Sequence, residues 1–147
     1  MIAIGRKGFP KITVLRERAL NGPGMSMRLQ TMRYPEDEPE LHVALFRNGQ
    51  PAGGAFIKAR HLPILAEASA RCSENPPRVG VVGTIPVRSG VFEIGVTRAF
   101  AKGKWVGGVS ILLVDLAGNR KTPTVLHGEA DLIALDLAID NLLEPAP

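Results

Sequence analysis

The chain has 147 residues, a formal net charge of +4 and 45% hydrophobic residues, with an isoelectric point near 9.6. That balance excludes a disordered polyelectrolyte. Gly (16) and Pro (12) follow no period, which excludes a collagen-like repeat, and a single cysteine excludes a disulfide framework or a thiolate zinc site.

No apolar run of signal-peptide length follows Met1. The longest near-apolar run, Trp105 to Val114, falls far short of the roughly 20 residues a membrane helix needs. A soluble, cytoplasmic protein is the expectation.

Lys11 to Glu17 reads as a first strand, and Asn21-Gly22-Pro23-Gly24 as the turn after it. Ser26 to Arg33 alternates cleanly, with Met27, Leu29 and Thr31 on one face. Leu41 to Arg47 follows an acidic, Pro-flanked loop, and Asn48-Gly49 is a strong hairpin signal leading to a strand over Gly54 to Ala59. The period then changes to helical: Leu62, Leu65, Ala68 and Cys72 share a face, and Pro63 suits a first helical turn. Ser73 to Pro77 reads as a linker.

The second half repeats that order. Strands are expected at Arg78–Ile85, Val91–Phe100, Trp105–Leu116 and Thr122–His127, with a bulge at Gly107-Gly108. A helix over Glu129–Leu143 closes the chain. Its apolar stripe includes Ile133, Leu137 and Leu143 and is wide enough to suggest burial on two sides. Leu65 matches Leu135 and Cys72 matches Leu142 at a shift of 70, while Val43 matches Ile111 at a shift of 68. The expected fold is therefore α+β: a tandem repeat of four antiparallel strands followed by one helix, with repeats at 1–74 and 75–147 forming an intramolecular pseudo-dimer.

Charge is uneven along this frame. Residues 129–147 carry five acidic residues and no basic one, whereas the strands and turns before them are basic. A split of this kind fits an anionic partner on one face.

Val43 to Ile57, with its Gly49, Pro51, Gly53 and Gly54, runs into Leu62-Pro63-Ile64-Leu65-Ala66-Glu67-Ala68. This stretch resembles the C-terminal half of the positive cofactor four coactivator domain. Phe100-Ala101-Lys102-Gly103-Lys104-Trp105-Val106 is similar to that family's F-x-G-K-x-x-V hairpin. The wider superfold, shared with Whirly and Pur-repeat proteins, pairs such units to bind single-stranded nucleic acid. The resemblance implies basic and aromatic contacts at Lys102, Lys104 and Trp105 of the second repeat and at Arg47, Lys58, Arg60, Arg120 and Lys121 near the matched turns. Arg28 and Arg33 join them from the strand pattern.

Single-strand binding needs cations along the backbone path and flat side chains for stacking. Aromatics make up only 5% of the chain, and Phe46, Phe56 and Phe92 fall in apolar patterns that predict core positions. Trp105 fits a stacking platform and partial burial equally. Cys72 reads as a buried thiol. His42, His61 and His127 lack metal-ligand spacing, and no nucleophile elbow or phosphate loop is present, so neither an enzyme nor a cofactor or metal is expected. Two functions stand: single-stranded DNA or RNA binding in a transcription-associated role, or a protein-interaction scaffold meeting its partner through the acidic C-terminal helix.

Overall fold

A computed structural model describes residues 10–20, 22–74, 76–101 and 103–143. The elements run β1 (Lys11–Ala19), β2 (Met25–Arg33), β3 (Glu40–Arg47), β4 (Gln50–Lys58), α1 (Leu62–Cys72), β5 (Gly80–Val87), β6 (Gly90–Ala101), β7 (Lys104–Asp115), β8 (Thr124–His127) and α2 (Gly128–Leu143). Two four-stranded antiparallel sheets, ordered β1-β2-β3-β4 and β5-β6-β7-β8, are each followed by a helix. This is the α+β tandem repeat that the sequence pattern predicts.

Period-two alternation sets the faces of the first sheet. Met27, Leu29, Leu41, Val43 and Ile57 are fully buried, and the register places Val43 between Leu29 and Ala55. The turn after β3 works through left-handed backbone at Asn48 (φ 51°) and Gly49 (φ 80°), the pair a tight hairpin requires. In the second sheet Ile94 lies opposite Ile111, and both are buried. The first strand of each sheet carries a bulge at the same place. The register skips a residue between Val14 and Arg16 beside Leu29, and between Val81 and Gly83 beside Ile94. Matching bulges at matching core pairs show that the repeat extends to register.

The chain forms two compact units. One holds β1–β4 and α2 from Leu137 onward; the other holds α1, β5–β8 and α2 through Asp136. These units cut the chain elsewhere than the sequence repeats 1–74 and 75–147 do. Helix α1, which follows the first sheet in sequence, packs on β5, β6 and β7. Leu62, Leu65 and Ala68 are fully buried there, each leucine contributing roughly 1.5–3 kcal/mol. Two glycines let it approach. A Cβ at Gly83 would lie 3.1 Å from Ile64 Cγ2, and one at Gly107 would lie 3.0 Å from the Cα and carbonyl oxygen of Cys72.

That approach corrects one expectation. Gly107 and Gly108 form no bulge; the β6–β7 register runs unbroken through Arg98–Gly107 and Thr97–Gly108. Small side volume is what those positions require. A second correction concerns α2. Its buried side is Ala134, Leu135, Ala138, Ile139 and Leu142, while Ile133, Leu137 and Leu143 are about half exposed rather than buried on a second side. Its first turn is tied down by buried Asp131, whose carboxylate accepts the His127 backbone N–H at 3.2 Å, a favourable site for negative charge. No helix among the described residues is long and apolar enough to cross a membrane.

Candidate nucleic-acid interface

Strands β6 and β7 have 12 residues each, whereas β5 has 8 and β8 has 4. Pairing with β5 ends at Gly80–Val96, and pairing with β8 ends at Gly108–His127. Residues 97–101 and 104–107 therefore continue as a two-stranded arm, about 16 Å long at the usual strand rise. Ala101 pairs with Lys104 at the end of the arm, and Gly103 before Lys104 has φ 79°.

Phe100 and Trp105 lie directly opposite each other on this arm. Their ring centroids are 5.2 Å apart and their planes cross at 73°. Phe100 is 60% and Trp105 65% exposed. Strand alternation puts both on the face that carries Val96 and Val109, together with Arg98, which is opposite Gly107. On the sheet proper that face is covered by α1. On the arm the cover ends at Gly107, against which Cys72 and Pro77 lie; beyond it Phe100 and Trp105 are exposed, so the same alternation that buries Val96 exposes Phe100.

The predicted cations divide into two groups. Four are held by carboxylates. Arg28 pairs with Glu17 at 2.7 Å and stands 4.7 Å over the Phe46 ring. Arg60 grips Glu38 through Nε (2.9 Å), Nη2 (2.7 Å) and its own backbone N–H (2.8 Å). Those hydrogen bonds hold the Glu38 carboxyl below its ordinary range, and Lys58 reinforces them. Arg120 spans to Glu93 with two bonds of 3.1 and 3.0 Å, which likewise lower the Glu93 pKa. Lys121 lies 3.4 Å from Asp115, whose pKa is lowered first by the Asn119 backbone N–H and then by Lys121.

The others stand differently. Arg33 donates to the Asn141 carbonyl oxygen. Arg47 is exposed and its Nε donates to the Met25 sulfur at 3.4 Å. Lys58 is exposed at the end of β4, opposite Glu40. Lys104 is exposed at the start of β7. Lys102 lies outside the described residues. Arg98, exposed on the arm, is not singled out by the sequence pattern. Neither Arg98 nor Lys104 makes an ion pair among the described residues.

The aromatic inventory also changes. Phe92 is buried as predicted, but Phe46 is only partly buried and Phe56 is 57% exposed, so these two are not core residues. Phe56 alternates with buried Ala55 and Ile57 and so faces outward, where it meets His42 at 4.3 Å between centroids. His42 in turn hydrogen-bonds Glu40 at 3.0 Å. The groove beside Arg28 and Phe46, lined also by Glu17, Arg18 and Ser26, has a volume of 580 Å³ and lies on the outer face of the first sheet.

Cys72 is buried, and burial followed by the nearby Asp136 carboxylate pushes its pKa up to about 11. Asp136 is itself engaged by the Ser69 hydroxyl at 2.7 Å. Among the described residues no three potential metal ligands converge. Compared with family models, curated proteins and solved structures, the chain matches none.

Proposed function

We propose that the chain is a non-enzymatic, single-stranded nucleic-acid-binding protein of the cytoplasm, transcription-associated, that engages its ligand with the β6–β7 arm. The observation that carries this reading is the exposed Phe100–Trp105 pair, with Arg98 beside it on the same face and Lys104 next to it on the opposite face of the arm; neither cation has a carboxylate partner among the described residues. Unpaired bases stack on exposed rings, and neighbouring cations take the phosphates. A duplex offers no free base face to such a tip, so the arm favours single strands. The charge of Arg28, Arg60, Arg120 and Lys121 is already neutralised within the fold, which narrows the predicted basic set to the arm, with Arg47 and Lys58 as outlying contacts.

The test is fluorescence anisotropy of a labelled 20-mer at low salt, with wild type and Trp105→Ala. Wild type binds, and the variant binds roughly 5- to 150-fold more weakly, the 1–3 kcal/mol of one stacked base. Unchanged tumbling with wild type overturns the proposal. The second reading, a protein-interaction module, is favoured by Ile133 and Leu137, exposed one turn apart on acidic α2.

A further inference from the structure

Four strands lie at sheet edges: β1, β4, β5 and β8. An edge strand presents unpaired N–H and C=O groups and recruits another strand unless something blunts it. Three of the four are blunted. β4 contains Pro51, Gly53 and Gly54; β5 contains Gly80, Gly83 and Pro86; β8 has four residues. β1 has nine residues with neither glycine nor proline.

Within β1 the two ends differ. Past the bulge stand Arg16, Glu17 and Arg18, charges that oppose pairing. Before it, Lys11, Ile12, Thr13 and Val14 are all exposed. Ile12 is 52% and Val14 49% exposed, on the outer face beside Met32 and Gln30. Three consecutive β-branched residues are strong strand formers, and no strand among the described residues pairs with this edge.

We infer that Lys11–Val14 is a pairing site for the same segment of a second copy of this chain. The segment is self-complementary. A two-fold axis at Thr13 sets the strands antiparallel, with Ile12 opposite Val14 of the second copy and Val14 opposite its Ile12. Four β-branched side chains then meet on one face, and the two Lys11 residues fall at opposite ends of the match. The bulge after Val14 ends the match, so the interface is short. Interfaces well below about 1,200 Å² give weak complexes, and the expected dimer dissociates in the micromolar range. The inference does not depend on the arm or on its ligand.

Sedimentation equilibrium of the full chain tests it. Wild type shows a monomer–dimer equilibrium by about 0.5 mM, where a complex with Kd of about 100 µM is mostly associated. Val14→Lys, at an exposed position, raises the dissociation constant about tenfold or more with its melting curve unchanged, and Val81→Lys on the β5 edge leaves it as in wild type. Hydrogen exchange on wild type adds a readout that needs no variant: backbone amides within Lys11–Val14 gain protection as concentration rises. A wild type that stays monomeric overturns the inference. So does a dimer indifferent to Val14→Lys, equally weakened by Val81→Lys, or without concentration-dependent protection in β1.

Discussion

Phe100 and Trp105 face each other across β6 and β7 where both flanking strands have ended, 5.2 Å apart and more than half exposed. Edge-to-face pairs of this kind are worth about 0.5–1.5 kcal/mol beyond their buried area. Here the pair stiffens an arm whose flanking strands have ended and holds an aromatic surface in solvent, the surface that the proposed function assigns to a base.

Phe100→Ala is therefore expected to act twice. It removes one ring and releases the other, so single-strand affinity falls at least as far as in Trp105→Ala. The melting temperature moves little, because neither ring belongs to the core. Anisotropy titration and a thermal melt on the same samples check both statements.

Salt dependence separates arm cations from paired ones. Removing two phosphate contacts lowers the slope of log K against log salt by about 1.4 for a single strand. Arg98→Ala with Lys104→Ala should produce that change. Arg120→Gln should leave the slope nearly as in wild type, because its guanidinium is already committed to Glu93. Titrations at several salt concentrations decide it.

Gly107→Ala tests the approach of α1. Its Cβ would meet Cys72 backbone atoms at 3.0 Å and Pro77 Cβ at 3.1 Å. Overpacking of this kind costs about 1–3 kcal/mol. Chemical denaturation should show a lower midpoint with an unchanged slope.

Cys72 gives a pH prediction. Its ordinary pKa of 9.0 is pushed up to about 11 in the fold. A raised folded-state value means that the native protein holds the proton more tightly than the unfolded chain. The stabilisation is complete below pH 9 and is lost as pH rises towards 11. Native thiol labelling at neutral pH should be slow and should become fast on unfolding.

Much of this architecture is legible in the residues. Met27, Leu29 and Thr31 alternate and are buried, and Leu65, Ala68 and Cys72 share the helical face that is buried. The association of α1 with β5–β7 is not legible, because both sheets offer similar aliphatic faces and both helices similar stripes. Ion pairs such as Arg60–Glu38 join residues 22 apart, and local periodicity is blind to them. The exposure of Phe100 had a readable signal. It shares parity with Phe92, Ile94 and Val96, but the β6–β7 pair is longer than the strands β5 and β8 that flank it, so the face continues after its cover has stopped. Phe56 misled because Ala55-Phe56-Ile57 is apolar at every position, so the pattern names no inward face.

Trp105 is the only tryptophan in the chain, so its emission reports on the arm alone. Titrating the protein with an unlabelled single-stranded oligonucleotide at low salt tests the central claim most directly. Stacking of a base on the indole predicts saturable quenching, reversed by added salt and absent with a blunt duplex of the same length. Emission that stays constant while the oligonucleotide binds, or quenching equal for duplex and single strand, would contradict the arm as the binding element.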